Sequence, residues 1–107
     1  MKKFLASGNQ DGSITIWNRE RKRVIKYLNA FEYTVFSVCF SSDGKTLASG
    51  SGDRNILLWT LPSFTETHVL KGHSDCVYSV AFSPDSRTLA SGSGDSKIII
   101  WNLNTLT

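Results

Sequence analysis

The chain has 107 residues, 40% of them hydrophobic and 20% charged, with a formal net charge of +3. That make-up belongs to a single ordinary soluble domain, and it excludes a disordered segment or a membrane protein. The two cysteines, Cys39 and Cys76, have neither C-x-x-C spacing nor a histidine arrangement typical of zinc. They read as reduced thiols in an intracellular setting, cytoplasmic or nuclear, with no metal or cofactor implied.

Taken from the start, Met1-Lys2-Lys3-Phe4-Leu5-Ala6 ends its apolar stretch at Ser7-Gly8. That is short of the roughly 7–15 apolar residues of a secretory signal, so no targeting segment is read. Leu5 to Gly8 forms a small-residue strand, a tight turn follows at Asp11, and Ile14-Thr15-Ile16-Trp17 makes the next strand. The run Arg19-Glu20-Arg21-Lys22-Arg23, with Lys26 after it, admits two readings. It is either an anion-binding patch, including a nucleic-acid surface, or a solvated loop that guards a sheet edge; the second is preferred, because a run alone supplies no shaped groove.

A further strand covers Arg23 to Leu28, and Thr34 to Phe40 is again rich in Val and Phe before Ser42-Asp43-Gly44-Lys45 breaks the chain with turn chemistry. The order then repeats: a small-residue strand around Leu47-Ala48-Ser49-Gly50, a turn at Asp53, Ile56-Leu57-Leu58-Trp59, and a closing strand at Thr67 to Leu70. It repeats once more from Cys76 to Phe82, through Pro84-Asp85-Ser86-Arg87, Leu89 to Gly92 and Asp95, to Ile98-Ile99-Ile100-Trp101.

Trp17, Trp59 and Trp101 fall 42 residues apart, and Thr46–Asp53 matches Thr88–Asp95 letter for letter. The chain therefore holds about two and a half copies of one unit. The Ile-rich strands are apolar at consecutive positions, which predicts burial on both faces, while β-branched residues and glycine argue against helix throughout.

With that period, four short strands per unit, Gly72-His73, and Trp17-Asn18, Trp59-Thr60 and Trp101-Asn102 in the place of Trp-Asp, the chain resembles the WD40 repeat family over essentially its whole length. The resemblance implies an all-β partial β-propeller: four-stranded antiparallel blades in an open arc, with an incomplete first blade at about 1–29, a complete one at 30–71 and an incomplete last one at 72–107. It also implies a hydrogen-bonded tetrad in the last unit, His73, Ser91, Asp95 and Trp101, where each buried polar group needs a partner. Partial sets follow in the middle unit (Ser49, Asp53, Trp59) and the first (Ser7, Asp11, Trp17). Ala30 and Phe31 stand where the middle unit would carry Gly-His, so either Asp53 turns to backbone N–H groups of its own turn or that corner is wetter.

A hydrolase triad of His73, Ser91 and Asp95 is rejected, since the serine would face Trp101 inside a blade and neither an oxyanion hole nor a G-x-S-x-G elbow is offered. No enzyme is expected. The Gly-Ser-Gly-Asp stretches lack the helix and Lys of a phosphate loop. What the resemblance implies is a protein-interaction scaffold for other proteins or peptides, with Gln10, Thr34, Phe36, Cys76 and Tyr78 as partner-binding candidates and Gly52 and Gly94 just ahead of the Asp turns. The alternative is a structural element that only completes a ring. An open arc leaves two apolar faces uncovered, which at roughly 25 cal/mol per Å² forgoes on the order of 10 kcal/mol. Further blades from the chain itself or a related chain are therefore expected partners, and a membrane is not.

Overall fold

The structure, a computed structural model, describes residues 3–106; Met1, Lys2 and Thr107, which the expected first and last units include, lie outside them. Among the described residues there are ten strands and no helix. β1 (Phe4–Gly8), β2 (Ser13–Asn18) and β3 (Arg23–Asn29) form one antiparallel sheet. β4 (Val35–Phe40), β5 (Thr46–Ser51), β6 (Asn55–Thr60) and β7 (Thr65–Lys71) form a second, and β8 (Val77–Phe82), β9 (Thr88–Ser93) and β10 (Ile98–Asn102) a third. Within each sheet every strand pairs with its neighbour in sequence.

The 42-residue step of the sequence survives as register. Leu5 faces Trp17 across β1 and β2, Leu47 faces Trp59 across β5 and β6, and Leu89 faces Trp101 across β9 and β10. Even the irregularities repeat: a bulge follows Ile16 in β2 and Leu58 in β6, and another follows Val35 in β4 and Val77 in β8. A recurring bulge bends each sheet in the same way, so the copies stack side by side. The inner strands start one residue later than their apolar runs, at Val35 and Val77, because Thr34 and Cys76 are drawn into turn bonds. β7 is longer than Thr67 to Leu70, since pairing continues past the bulge to Glu66 and Thr65.

Side-chain alternation sorts the apolar residues into two layers. Leu57 and Trp59 point to the first sheet, meeting Ile14, Ile16 and Leu28, with Val35, Leu47 and Phe64 filling the same layer. Ile56 and Leu58, on the opposite side of β6, meet Val77, Val80, Leu89 and Trp101 of the third sheet, along with Ala48 and Leu70. Each fully buried branched side chain contributes about 2 kcal/mol, so the middle sheet is stabilised from both sides.

The expectation that the Ile-rich strands bury both faces is met by β6 and fails for β10. Ile56 and Leu58 are 0% and 4% exposed, while Ile98 and Ile100, their equivalents one unit on, are 76% and 62% exposed. The difference lies in the neighbour: β10 has the second sheet on one side and, among the described residues, nothing on the other. Leu5, 52% exposed, marks the corresponding bare face of the first sheet. The three sheets form an open arc that does not close.

Candidate functional site

The β1–β2, β5–β6 and β9–β10 turns are built alike. Asp11, Asp53 and Asp95 each accept a backbone N–H from two residues ahead, from Ser13 at 3.0 Å and from Asn55 and Lys97 at 2.9 Å. The residue after each Asp adopts positive φ: Gly12 at 91°, Arg54 at 77° and Ser96 at 69°. At Gly12 the glycine is obligatory, since a Cβ there would stand 2.1 Å from the carbonyl oxygen of Phe31.

In the third sheet this turn is the end of a longer chain of bonds. Trp101 Nε1–H donates to Ser91 Oγ at 2.8 Å, Ser91 Oγ lies 2.7 Å from His73 Nε2, and His73 Nδ1 lies 3.0 Å from Asp95 Oδ2. A neutral imidazole with its hydrogen on Nδ1 satisfies every link: indole to hydroxyl, hydroxyl to Nε2, Nδ1–H to carboxylate. Burial works against the Asp95 charge, but His73 and the N–H groups of Ser74 and Lys97 outweigh it and hold the carboxyl at about 2. Ser91 is buried, and its hydroxyl is spent on Trp101 of β10 and on His73 of the loop before β8. This geometry orients a packed core and offers a substrate no approach to the hydroxyl.

The middle sheet has only part of that chain. Trp59 Nε1–H donates to Ser49 Oγ at 3.1 Å, and Ser49 turns its own hydroxyl to the Leu57 carbonyl at 3.4 Å. Phe31 packs among the apolar side chains of the first layer, leaving Asp53 to its own turn, where it accepts from Asn55. In the first sheet Asp11 accepts from Ser13 through both backbone and hydroxyl. Ser7 is exposed and Trp17 half-buried on the bare face, and no hydrogen bond joins them among the described residues.

The partner-binding candidates come together on the rim that holds the Asp turns. Thr34 Oγ1–H donates to the Gln10 carbonyl at 2.9 Å, and Gly52 N–H to the Thr34 carbonyl at 2.9 Å. The Cys76 thiol then points to the Gly52 carbonyl at 3.6 Å, and Gly94 N–H donates to the Cys76 carbonyl at 3.1 Å. One ribbon of bonds thus ties the loops of all three sheets. Just beyond it, Phe36 and Tyr78 lean on each other across two sheets, ring centroids 4.9 Å apart at 55°, and they remain 46% and 51% exposed. The Cys76 side chain, and to a lesser degree Asp75, pushes the Tyr78 phenol above its ordinary value.

Tyr33 is an aromatic of this rim that the sequence reading passed over. It is exposed beside Gly52, and its signal was an aromatic residue at the position where the next unit carries Asp75. The basic run lies elsewhere. Arg19 to Lys22 form the exposed turn before β3 and Arg23 to Lys26 its first half, with Lys26 Nζ donating to the Ser63 carbonyl at 3.1 Å.

The family model for the WD domain, G-beta repeat, matches residues 22–60 and 64–102. The chain belongs to the WD40 repeat family. Two solved structures similar to it are a crystal structure of RRP9 WD40 repeats and a structure of U3-55K, each 30% identical, with TM-scores of 0.92 and 0.93. Each likeness covers 98% of this chain and 33% and 34% of the respective solved chain, so the WD40 segment here spans about a third of their length. No curated protein matches the sequence. WD40 repeats generally mediate contacts between proteins and are generally non-enzymatic scaffolds.

Proposed function

We propose that this WD40 segment is a protein-interaction platform whose docking point is the aromatic rim formed by Phe36 and Tyr78, with Tyr33 beside them. The observation that carries the reading is that the Phe36 and Tyr78 rings lean on each other half-exposed, at the bulges of β4 and β8, beside a hydrogen-bonded ribbon that ties the loops of all three sheets. A rigid, partly wet aromatic pair gives up little side-chain entropy on binding and buries a large area, which is the profile of an interface hot spot. The partner is another protein or a peptide, and the segment itself performs no catalysis. Two unpaired thiols support an intracellular location, cytoplasmic or nuclear.

Peptides selected from a random display library against the chain provide the test. Alanine at Phe36 and Tyr78 lowers their affinity at least tenfold, while the circular dichroism spectrum and urea midpoint stay near those of the parent. Unchanged affinity refutes the platform, and loss of folding assigns both rings to the architecture instead. Titration of duplex DNA and RNA against the same proteins separates off the Arg19–Lys26 stretch, whose binding would weaken steeply with salt.

A further inference from the structure

The loops between strands lie on two opposite rims, and the charges divide between them. On the rim of the Asp turns, residues 9–12, 30–34, 52–54, 72–76 and 94–97 hold five acidic side chains against two basic ones. On the other, residues 19–22, 41–45, 61–64 and 83–87 hold three acidic against five basic. The aromatic rim therefore carries a negative field that attracts a cationic partner and repels an anionic one.

On that rim the repeat brings aromatic rings and a carboxylate together. Gly52 and Gly94 occupy equivalent positions, and each has a ring over it: a Cβ at Gly52 would stand 3.5 Å from Phe36 Cε2, and one at Gly94 would stand 3.2 Å from Tyr78 Cε2. The second neighbour differs. At Gly52 it is Tyr33, whose Cβ would lie at 3.3 Å, and at Gly94 it is the Asp75 carboxylate, whose Oδ2 would lie at 2.9 Å. Because Phe36 leans on Tyr78, the four side chains form one row: Tyr33, Phe36, Tyr78, Asp75.

Asp75 is exposed yet held in place. Its Oδ1 accepts the Cys76 N–H at 2.6 Å, and its carbonyl accepts the Ser93 hydroxyl at 3.1 Å. Among the described residues Oδ2, beside the Tyr78 ring, takes no hydrogen bond. Phe36 belongs to the middle sheet, which has a sheet packed on either side, and is still 46% exposed. The row is therefore accessible in the interior of the arc.

We propose that this row seats an arginine side chain of the partner, its guanidinium against the Tyr78 ring and Asp75 Oδ2 and its apolar stem along Phe36. The inference rests on the rim being the docking point and specifies what docks there. Guanidinium suits the place better than ammonium because it is weakly hydrated and planar, so it stacks on a ring while an N–H in its plane reaches a carboxylate.

The peptides selected from the random library supply the probes. Those weakened by Phe36→Ala/Tyr78→Ala are expected to share an arginine. Replacing it with citrulline, uncharged and nearly the same shape, should lower affinity roughly tenfold, and lysine should fall between the two. Asp75→Asn keeps an oxygen for the Cys76 N–H, so its circular dichroism spectrum and urea midpoint should match the parent's. It should bind the arginine peptide roughly tenfold more weakly and the citrulline peptide as the parent does. Rim-dependent peptides without arginine, lysine as good as arginine, or equal losses for both peptides in Asp75→Asn overturn the arginine seat and leave the docking point standing. Peptides indifferent to Phe36→Ala/Tyr78→Ala overturn the docking point itself, and the seat with it.

Discussion

The hydroxyl of Ser91 lies 2.7 Å from Nε2 of His73, inside a sheet where neither residue has water to fall back on. Ser91→Ala strands two groups at once, the Trp101 indole N–H and His73 Nε2, and should cost about 2–3 kcal/mol. Ser49→Ala strands the Trp59 indole and loses only a long 3.4 Å bond to the Leu57 carbonyl besides, because Phe31 asks nothing of Ser49, and should cost about 1–2 kcal/mol. Urea unfolding of the two variants beside the parent measures the gap, and equal costs would mean that the histidine link adds nothing to stability.

Acid should loosen this corner in a defined window. The Asp95 carboxyl sits at about 2 in the folded chain against an ordinary 3.8. A group whose folded value is depressed stabilises fully above its unfolded value, so the Asp95 contribution is complete above pH 3.8 and disappears as the pH falls toward 2. Asp11, Asp43 and Asp85 move in the same direction, held down chiefly by the hydroxyls of Ser13, Ser41 and Ser83. Asp95→Asn should lower the urea midpoint at neutral pH and flatten its fall between pH 4 and pH 2. A variant whose acid limb keeps the parent's slope would remove Asp95 from the account.

How far these features were legible from sequence depends on whether the repeat encoded them. The strands, their order and the Leu–Trp cross-strand pairs follow from a period that places Trp17, Trp59 and Trp101 in equivalent positions. Ile98-Ile99-Ile100 shows the limit: its letters match the buried Ile56-Leu57-Leu58 in character, yet two of the three face outward, because burial is decided by the neighbouring sheet and local sequence does not record it. The choice open to Asp53 was settled by Phe31, whose ring goes into the apolar layer and leaves the carboxylate to its own turn. The contact between Phe36 and Tyr78 joins residues 42 apart; a period places them in like positions, but only the pitch of the stacked sheets brings the rings together.

The Asp turns give a backbone test. At Gly12 a methyl group collides with the Phe31 carbonyl in addition to meeting an unfavourable φ of 91°, so Gly12→Ala should destabilise by about 2 kcal/mol or more. Arg54 and Ser96 accept the same left-handed conformation despite their side chains. Glycine at either position relieves roughly 1 kcal/mol of that strain, partly offset by the extra freedom it gives the unfolded chain. Thermal melts of the three variants should therefore move in opposite directions, down for Gly12→Ala and level or up for Arg54→Gly and Ser96→Gly.

The three tryptophans should differ as reporters although the sequence treats them alike. Trp59 and Trp101 are buried, each with its indole N–H bonded to a serine, while Trp17 is half-buried on the bare face of the first sheet. Acrylamide should quench Trp17 far more readily than the others. Trp17→Phe then removes most of the quenchable emission, and Trp59→Phe or Trp101→Phe leaves it in place. Equal quenching of all three tryptophans would mean that the Trp17 ring is no more accessible than the buried rings of Trp59 and Trp101.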